Sequence, residues 1–202
     1  DRVARRGPNS HLPTRAAAIS ATQMLVQRAA IELDVSSDEF EALEPRLRDG
    51  RPMLQIADAL INGSGLSRRL GADTSEGRPF VTDVIRSIVE DQCAWPLIDL
   101  LNNHEEAHAT QCQTSCYRCI QRYSNRPYHG LLDWRLGLSY LRAMIQPGYS
   151  CGLNQVDLQH PELVGWHERA AALAETVAQM RPGSLSAGLH APSGLPCLHE
   201  QG

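Results

Sequence analysis

Residues 108–119 read HATQCQTSCYRC, which places one histidine and three cysteines within twelve residues: His108, Cys112, Cys116 and Cys119. The last two form a Cys-x2-Cys knuckle, in which a tight turn points two thiolates at one ion and two further ligands complete a tetrahedron. Zinc prefers soft thiolate and imidazole donors, and a closed Cys3His site leaves no position for a reactive water. The spacing therefore predicts a structural zinc site that contributes directly to folding.

The fourth ligand of this site stays open at the level of sequence. His108 is the nearest candidate, His129 follows as the second, and His104 and Cys93 lie further back. Unconnected buried thiols or a disulfide are the alternatives to a metal site, although randomly placed cysteines seldom fall at knuckle spacing. The remaining cysteines have no partner at ligand spacing and are interpreted as ordinary thiols: Cys151 and Cys197.

The same Cys-x3-Cys-x2-Cys spacing has a rival interpretation, because radical S-adenosylmethionine enzymes use it to hold a [4Fe–4S] cluster. Two features of the sequence count against such an enzyme. Arg118 stands before the last cysteine, where an aromatic residue is usual, and Tyr117 comes one position early. Residues 120–202 are mostly helical in pattern and too few for the strands of that enzyme barrel.

The composition of the 202 residues predicts a folded chain. Hydrophobic residues make up 42% and charged residues 21%, which suffices for a buried core and argues against global disorder. The net charge of −4 has the wrong sign for a protein that binds nucleic acid over its whole surface. We expect a cytoplasmic protein, because no transmembrane run and no secretory signal are visible. In a reducing compartment, clustered cysteines more often bind metal than form disulfides.

Outside the cysteine region, the pattern predicts an α+β fold of helices packed on a β-hairpin or small antiparallel sheet. An Asp49-Gly50 turn between alternating segments favours the hairpin. The stretch Asn62-Gly63-Ser64-Gly65 is interpreted as a plain turn, because it lacks the lysine of a nucleotide-binding loop. Helices are predicted from Thr14 to about Leu33, over 81–89, over 131–145 and over 163–177, with Trp134 and Trp166 as core anchors.

Three segments follow from this pattern. Residues 1–13 are predicted to be a flexible lead-in, because glycine and proline interrupt them. Residues 14–181 form the predicted zinc-binding domain. Residues 182–202 are rich in glycine, proline and serine and are predicted to be a disordered tail.

An ordered set of residues after the knuckle resembles the cysteine-rich, zinc-binding C-terminal domain of certain DEAD/DEAH-box helicases: Cys116-Tyr117-Arg118-Cys119, Tyr123, Asn125, His129 and Leu132-Asp133-Trp134. Those helicases include the mitomycin-repair type of bacterial helicase and the helicase-associated component of the DISARM phage-defence system. Weaker similarities precede the cysteines: Thr14-Arg15-Ala16-Ala17, Ser20-Ala21, Leu33-Asp34-Val35, Ala57-Asp58 and Asn62-Gly63-Ser64-Gly65. The resemblance covers roughly residues 14 to 146.

This resemblance implies an accessory domain of a helicase system that unwinds or translocates on DNA, in repair or in phage defence. Many of the relatives supply four cysteines, whereas here the first position is vacant and His108 falls nearest to it. The sequence has no Walker lysine and no Asp-Glu-x-His box. The resemblance therefore implies that the ATPase motor lies on another part of a longer chain or on a partner protein, and that these residues are not an enzyme.

Basic and aromatic residues alternate after the knuckle, as expected where phosphates and stacked bases meet a protein. The candidate nucleic-acid contacts are Arg118, Arg122, Tyr123 and Arg126. The alternatives are that the arginines pair with nearby acids or stay solvated, and that Tyr123 and Asn125 only shape the turn after the knuckle. In that case the chain is a protein–protein adaptor that does not bind DNA. Asp133 is predicted to cap the helix that follows.

Overall fold

The computed structural model describes residues 12–48, 51–90, 111–154 and 156–200. The chain divides into two compact units, Asp1–Tyr149 and Ser150–Gly202. Within the described ranges, five α-helices and two small antiparallel sheets confirm the predicted α+β class: α1 (Leu12–Leu33), β1 (Phe40–Arg48), β2 (Arg51–Asp58), α2 (Leu66–Gly71), α3 (Phe80–Val89), α4 (Trp134–Ile145), α5 (Trp166–Met180), β3 (Leu185–Leu189) and β4 (Pro196–Glu200). Among the helices of these ranges, none combines the length and hydropathy needed to cross a membrane.

Helix α1 is the centre of the first unit, with α3, α4 and the β1–β2 hairpin packed around it. The spacing of Ile19, Val26, Ala30 and Leu33 predicts one apolar face, but every residue from Ala18 to Ala30 is buried. Five buried alanines have small side chains, so neighbouring elements can approach this helix closely from several sides: Ala16, Ala18, Ala21, Ala29 and Ala30. Polar residues are enclosed as well, and they need partners: Ser20, Gln23, Gln27 and Arg28.

The predicted hairpin is present, with β1 and β2 paired antiparallel from Phe40–Asp58 to Arg48–Arg51. The Asp49-Gly50 turn itself lies outside the described residues. The register shifts between Leu43 and Arg46, so that Pro45 has no paired residue. Because proline has no backbone N–H for the ladder, this irregularity is where a strand tolerates it.

The glycine-rich turn after β2 is closed by Asp58. The carboxylate of Asp58 accepts hydrogen bonds from the backbone N–H groups of Gly65 (2.6 Å) and Ser67 (2.7 Å). These hydrogen bonds hold the pKa of Asp58 below its ordinary value, and the bond from Ser67 has the largest effect. Gly63 and Gly65 have φ angles of 66° and 78°, a left-handed conformation that favours glycine. The stretch is a turn, as predicted, and the Asp58 carboxylate closes it against the start of α2.

Helices α1 and α4 cross at Gly137. A Cβ atom at this position would lie 2.9 Å from Met24 Sδ and from Ser20 Cβ, and 3.0 Å from the backbone nitrogen of Ala21. Only glycine permits this approach without displacing a neighbour. Asp133 caps α4 as predicted, since its carboxylate accepts from the backbone N–H groups of Arg135 and Leu136.

The second unit contains a closed loop, helix α5 and the β3–β4 hairpin. The carboxylate of Asp157 accepts hydrogen bonds from the backbone and hydroxyl of Ser150 (both 2.8 Å) and from the backbone of Gly152 (3.1 Å). Burial alone would raise the pKa of Asp157, but these bonds outweigh it and lower that pKa. The indole of Trp166 lies directly over Gly152, where a Cβ atom would come 2.6 Å from Trp166 Nε1.

Within the predicted tail, the described residues 182–200 differ from the sequence expectation. Composition predicts a disordered tail, but β3 and β4 pair antiparallel from Leu185–Glu200 to Leu189–Pro196 and pack on α5. Gly183 and Gly194 have positive φ angles of 79° and 67° in the turns before and within this hairpin. The small residues thus serve as turns between short strands, which composition alone does not distinguish from disorder.

Candidate metal centre

The thiols of Cys112, Cys116 and Cys119 lie together, with all three Sγ atoms within 4.8 Å of one another. Cys119 Sγ is 4.0 Å from Cys112 Sγ and 3.8 Å from Cys116 Sγ. Tetrahedral ligands at a zinc–sulfur distance of about 2.3 Å are separated by about 3.8 Å. A disulfide needs about 2.05 Å, and the three cysteines are free thiols. The described residues therefore form a three-thiol cluster that fits a single metal ion.

The knuckle turn is built by backbone hydrogen bonds around Cys116. Its carbonyl accepts from the N–H groups of Cys119 (3.0 Å) and Gln121 (3.1 Å), while its own N–H donates to Cys119 Sγ (3.1 Å). The side-chain amide of Gln121 closes the turn by donating to the backbone and hydroxyl oxygens of Ser115. Such N–H groups orient metal ligands and stabilise the negative charge on a thiolate.

Two of the thiols are buried, with Cys112 5% exposed and Cys119 3% exposed. Burial, with the charge of the neighbouring thiols, raises the pKa of Cys112. Burial also raises the pKa of Cys119, although backbone hydrogen bonds from Cys116 and Ile120 oppose it. Without a bound ion these two groups are therefore kept as neutral thiols, whereas a cation bound between the sulfurs stabilises their thiolate form, because unpaired buried charge is costly.

Helix α4 fixes the backbone that carries Cys112. The buried indole of Trp134 donates to the carbonyl of Cys112 (3.2 Å), and the backbone N–H of Trp134 donates to the carbonyl of Thr114 (2.9 Å). The Arg135 guanidinium lies 4.2 Å from the centroid of the Trp134 ring and donates to the carbonyl of Gln113. Trp134 is fully buried, which confirms the prediction that it anchors the core.

Helix α1 holds the other side of the knuckle through a polar face that sequence analysis did not identify. Gln23 Oε1 accepts from the Asn125 amide (2.9 Å), and Gln27 donates to the carbonyl of Ile120 (3.4 Å). Ser20 Oγ accepts from the backbone N–H of Asp133 (2.9 Å). The sequence pattern that could have revealed this polar face is the recurrence of polar residues at helical spacing within an otherwise apolar helix.

His129, the second candidate for the fourth ligand, supports the loop after the knuckle. Its Nε2 lies 3.0 Å from both the carbonyl of Arg122 and Asn125 Oδ1, and its ring meets that of Tyr117 edge to face at 5.5 Å. It does not belong to the group of thiols that the described residues bring together. The other candidates lie outside the described residues: His108, His104 and Cys93.

The predicted nucleic-acid contacts separate into two kinds. The guanidinium of Arg122 is directed inward, donating to the carbonyls of Cys119 (3.1 Å) and Gln121 (2.7 Å) and to Gln27 Oε1. Arg118 and Arg126 are exposed, and so is Tyr123, with 81% of its surface accessible. The Nη1 atom of Arg118 lies 3.4 Å from Gln111 Oε1. Arg122 therefore supports the knuckle, while the other three side chains lie at the surface.

A polar cleft of about 210 Å³ adjoins this loop, between α1 and the start of β1. Its lining includes Glu41 and Arg122, together with Phe40, Asn125 and Tyr128. Residues of both charges thus line the cleft, which favours neither an anion nor a cation.

No known protein family matches the chain, and neither a curated protein nor a solved structure matches it significantly.

Proposed function

We propose that Cys112, Cys116 and Cys119 bind one structural zinc ion per chain. The observation that carries this proposal is the spacing of the thiols, 3.8 and 4.0 Å between Sγ atoms, at the separation that one tetrahedral ion requires. The ion joins the segment held by α4 at Cys112 to the segment held by α1 beyond Cys119. Its role is to fasten the turn between the two helices, so metal binding and folding share one free energy.

Zinc is favoured over an iron–sulfur cluster by the same distances. In a [4Fe–4S] cluster, three cysteines bind three different iron atoms, which separates the sulfurs further than ligands of a single ion. Thiolate donors also favour zinc over the oxygen-seeking magnesium and calcium. A radical S-adenosylmethionine enzyme remains the alternative, and it differs in metal content and in its brown colour.

Elemental analysis of the full chain, purified without added metal, tests this proposal. We expect about one zinc and no iron per chain. Cys116→Ser and Cys119→Ser should lose both the metal and the cooperative unfolding transition, whereas Cys151→Ser, a matched change at an exposed cysteine, should keep both. A Cys119→Ser protein that unfolds like the wild type without bound metal would contradict a structural site, and iron at several atoms per chain would support the alternative.

We further propose that this zinc module is a non-enzymatic accessory domain of a DEAD/DEAH-box DNA helicase system. The residues from Cys116 to Trp134 support this through their resemblance, and the motor would lie on another segment or on a partner protein. Contact with DNA is proposed for the exposed side chains of Arg118, Tyr123 and Arg126. Binding of single-stranded DNA by the full chain is the test, and a protein–protein adaptor is the competing outcome.

A further inference from the structure

A thiol and an imidazole lie side by side on strand β4, away from the metal centre in sequence and in a different compact unit. Cys197 Sγ is 3.2 Å from His199 Nε2, which is hydrogen-bond distance for sulfur. Because alternate residues of a strand face the same side, residues 197 and 199 share one face of the hairpin. Cys197 is half-buried and His199 is exposed, so small reagents can reach the pair.

Gly188 on the neighbouring strand makes room for the imidazole. Gly188 pairs directly with Cys197 in the β3–β4 register. A Cβ atom on Gly188 would lie 2.9 Å from both Cδ2 and Nε2 of His199, closer than side chains tolerate. The imidazole thus rests over the bare backbone of residue 188, beside the thiol. Gly188 does not have a positive φ angle, so the missing side chain, not the backbone conformation, is what the site requires.

We propose that Cys197 is a reactive thiol that undergoes exchange with small disulfides, with His199 as its base and Gly188 as a positioning residue. A thiolate is the nucleophile in this chemistry, and an adjacent imidazole is a common activating base. Cys151 supplies an internal reference, since it is also a free thiol and is exposed.

Thiol–disulfide exchange at Cys197 needs no oxidant other than the small disulfide itself. His199 Nε2 accepts the Cys197 proton as the sulfur attacks one sulfur of the small disulfide, forming a new S–S bond. The original S–S bond breaks, and its electron pair leaves with the second sulfur. That leaving thiolate takes the proton from the imidazolium, so one thiol is consumed and one released. The product is a mixed disulfide on Cys197.

The test uses oxidised glutathione as the probe on the full chain, with peptide mass spectrometry to follow Cys197 and Cys151 separately. A positioned base contributes roughly 100-fold or more in enzymes, and for this accessible pair we expect Cys197 to react about tenfold faster than Cys151. His199→Asn and Gly188→Ala should each lower the Cys197 rate towards that of Cys151, without changing the rate at Cys151.

His190→Asn is the matched control, because His190 lies in the same hairpin and contacts Ser193 through its Nδ1. This variant should leave the Cys197 rate unchanged, and unfolding curves should show that each variant retains the fold. Equal rates at Cys197 and Cys151 in the wild type, or an unchanged Cys197 rate in His199→Asn, would overturn the proposal. A slower His199→Asn combined with an unaffected Gly188→Ala would overturn only the part assigned to Gly188.

Discussion

Arg122 and Tyr123 are adjacent in sequence but have opposite environments. The Arg122 guanidinium donates hydrogen bonds to two backbone carbonyls at the knuckle and to the side chain of Gln27 in α1. Tyr123, by contrast, extends into solvent. An arginine that holds backbone carbonyls gains its stabilisation from a fixed planar geometry, and moving it to a phosphate would leave those acceptors without a donor. We therefore expect these neighbours to respond differently to mutation.

Single-stranded DNA binding tests this difference. Arg118→Ala and Arg126→Ala should weaken binding for all sequences alike and reduce the slope of log affinity against log salt by about 0.7 each. Tyr123→Ala should cost about 1–3 kcal/mol of binding if its ring stacks on a base, with little change in the free energy of unfolding. Fluorescence anisotropy at several salt concentrations measures both effects.

Arg122→Ala is the contrasting variant in this series. It should lower the free energy of unfolding, because it removes the donors to the Cys119 and Gln121 carbonyls. If the three surface variants bind DNA as the wild type does, the adaptor interpretation is favoured.

The close crossing of α1 and α4 requires that residue 137 has no Cβ atom. Gly137→Ala would place a Cβ atom 2.9 Å from Ser20 Cβ and 3.0 Å from the backbone of Ala21. Overpacking of this kind costs typically about 1–3 kcal/mol, which exceeds the gain of up to about 1 kcal/mol from replacing a helical glycine. Urea unfolding of the metal-loaded protein should show a net loss of stability.

Gly71 provides the matched control for this substitution. Gly71 is the last residue of α2 in the same unit, and a Cβ atom there meets nothing within 4 Å. Gly71→Ala should leave stability unchanged or slightly increased. A Gly137→Ala protein as stable as Gly71→Ala would contradict close packing at the crossing.

The cap between β2 and α2 predicts a pH dependence. The folded state lowers the pKa of Asp58 below its ordinary value of 3.8, so this carboxylate stabilises the fold above that value. The contribution is lost as the pH falls from 3.8 through the lowered pKa of the folded state. Asp58→Asn removes the charge, so the difference in unfolding free energy between wild type and variant should be constant from pH 5 to 7 and shrink below 3.8.

Because both proteins carry the same thiol cluster, any acid-driven loss of metal affects them alike and cancels in that difference. Chemical unfolding at a series of pH values provides the measurement. A difference that stays constant to pH 2 would show that the Asp58 carboxylate does not stabilise the folded state through its charge.

At the scale of the whole molecule, the metal cluster and the Cys197–His199 pair lie in separate compact units. The three thiols are held by α1 and α4, whereas the second unit is organised by Asp157, α5 and the β3–β4 hairpin. A structural ion stabilises the elements to which its ligands are attached. Metal removal should therefore act unevenly along the chain.

Hydrogen exchange with and without a strong chelator measures which elements lose stability when the metal is removed. We expect faster exchange in α1, in residues 111–133 and in α4 after the metal is removed, with α5 and the β3–β4 hairpin unchanged. Exchange that accelerates equally in both units would mean that they unfold as one. Exchange that changes in neither would contradict a structural ion.

Local sequence was sufficient for several features of this protein. The knuckle spacing predicted three adjacent thiols, the alternating segments around Asp49-Gly50 predicted the hairpin, and Asp133 was identified as a helix cap. Each of these depends on residues a few positions apart, where chain geometry restricts the possible arrangements. The identity of the metal, the helicase association and the DNA contact remain predictions from sequence.

Only the tertiary structure determines which buried polar groups are hydrogen-bonded to one another. Gln23 and Asn125 are 102 positions apart, and Gln27 and Arg122 are 95 apart, yet each pair is hydrogen-bonded. The burial of α1 on all sides from Ala18 to Ala30, the inward direction of Arg122 and the hairpin in place of a disordered tail arise in the same way. Buried polar groups must find partners wherever packing brings them, and neither composition nor periodicity specifies which distant segments will meet.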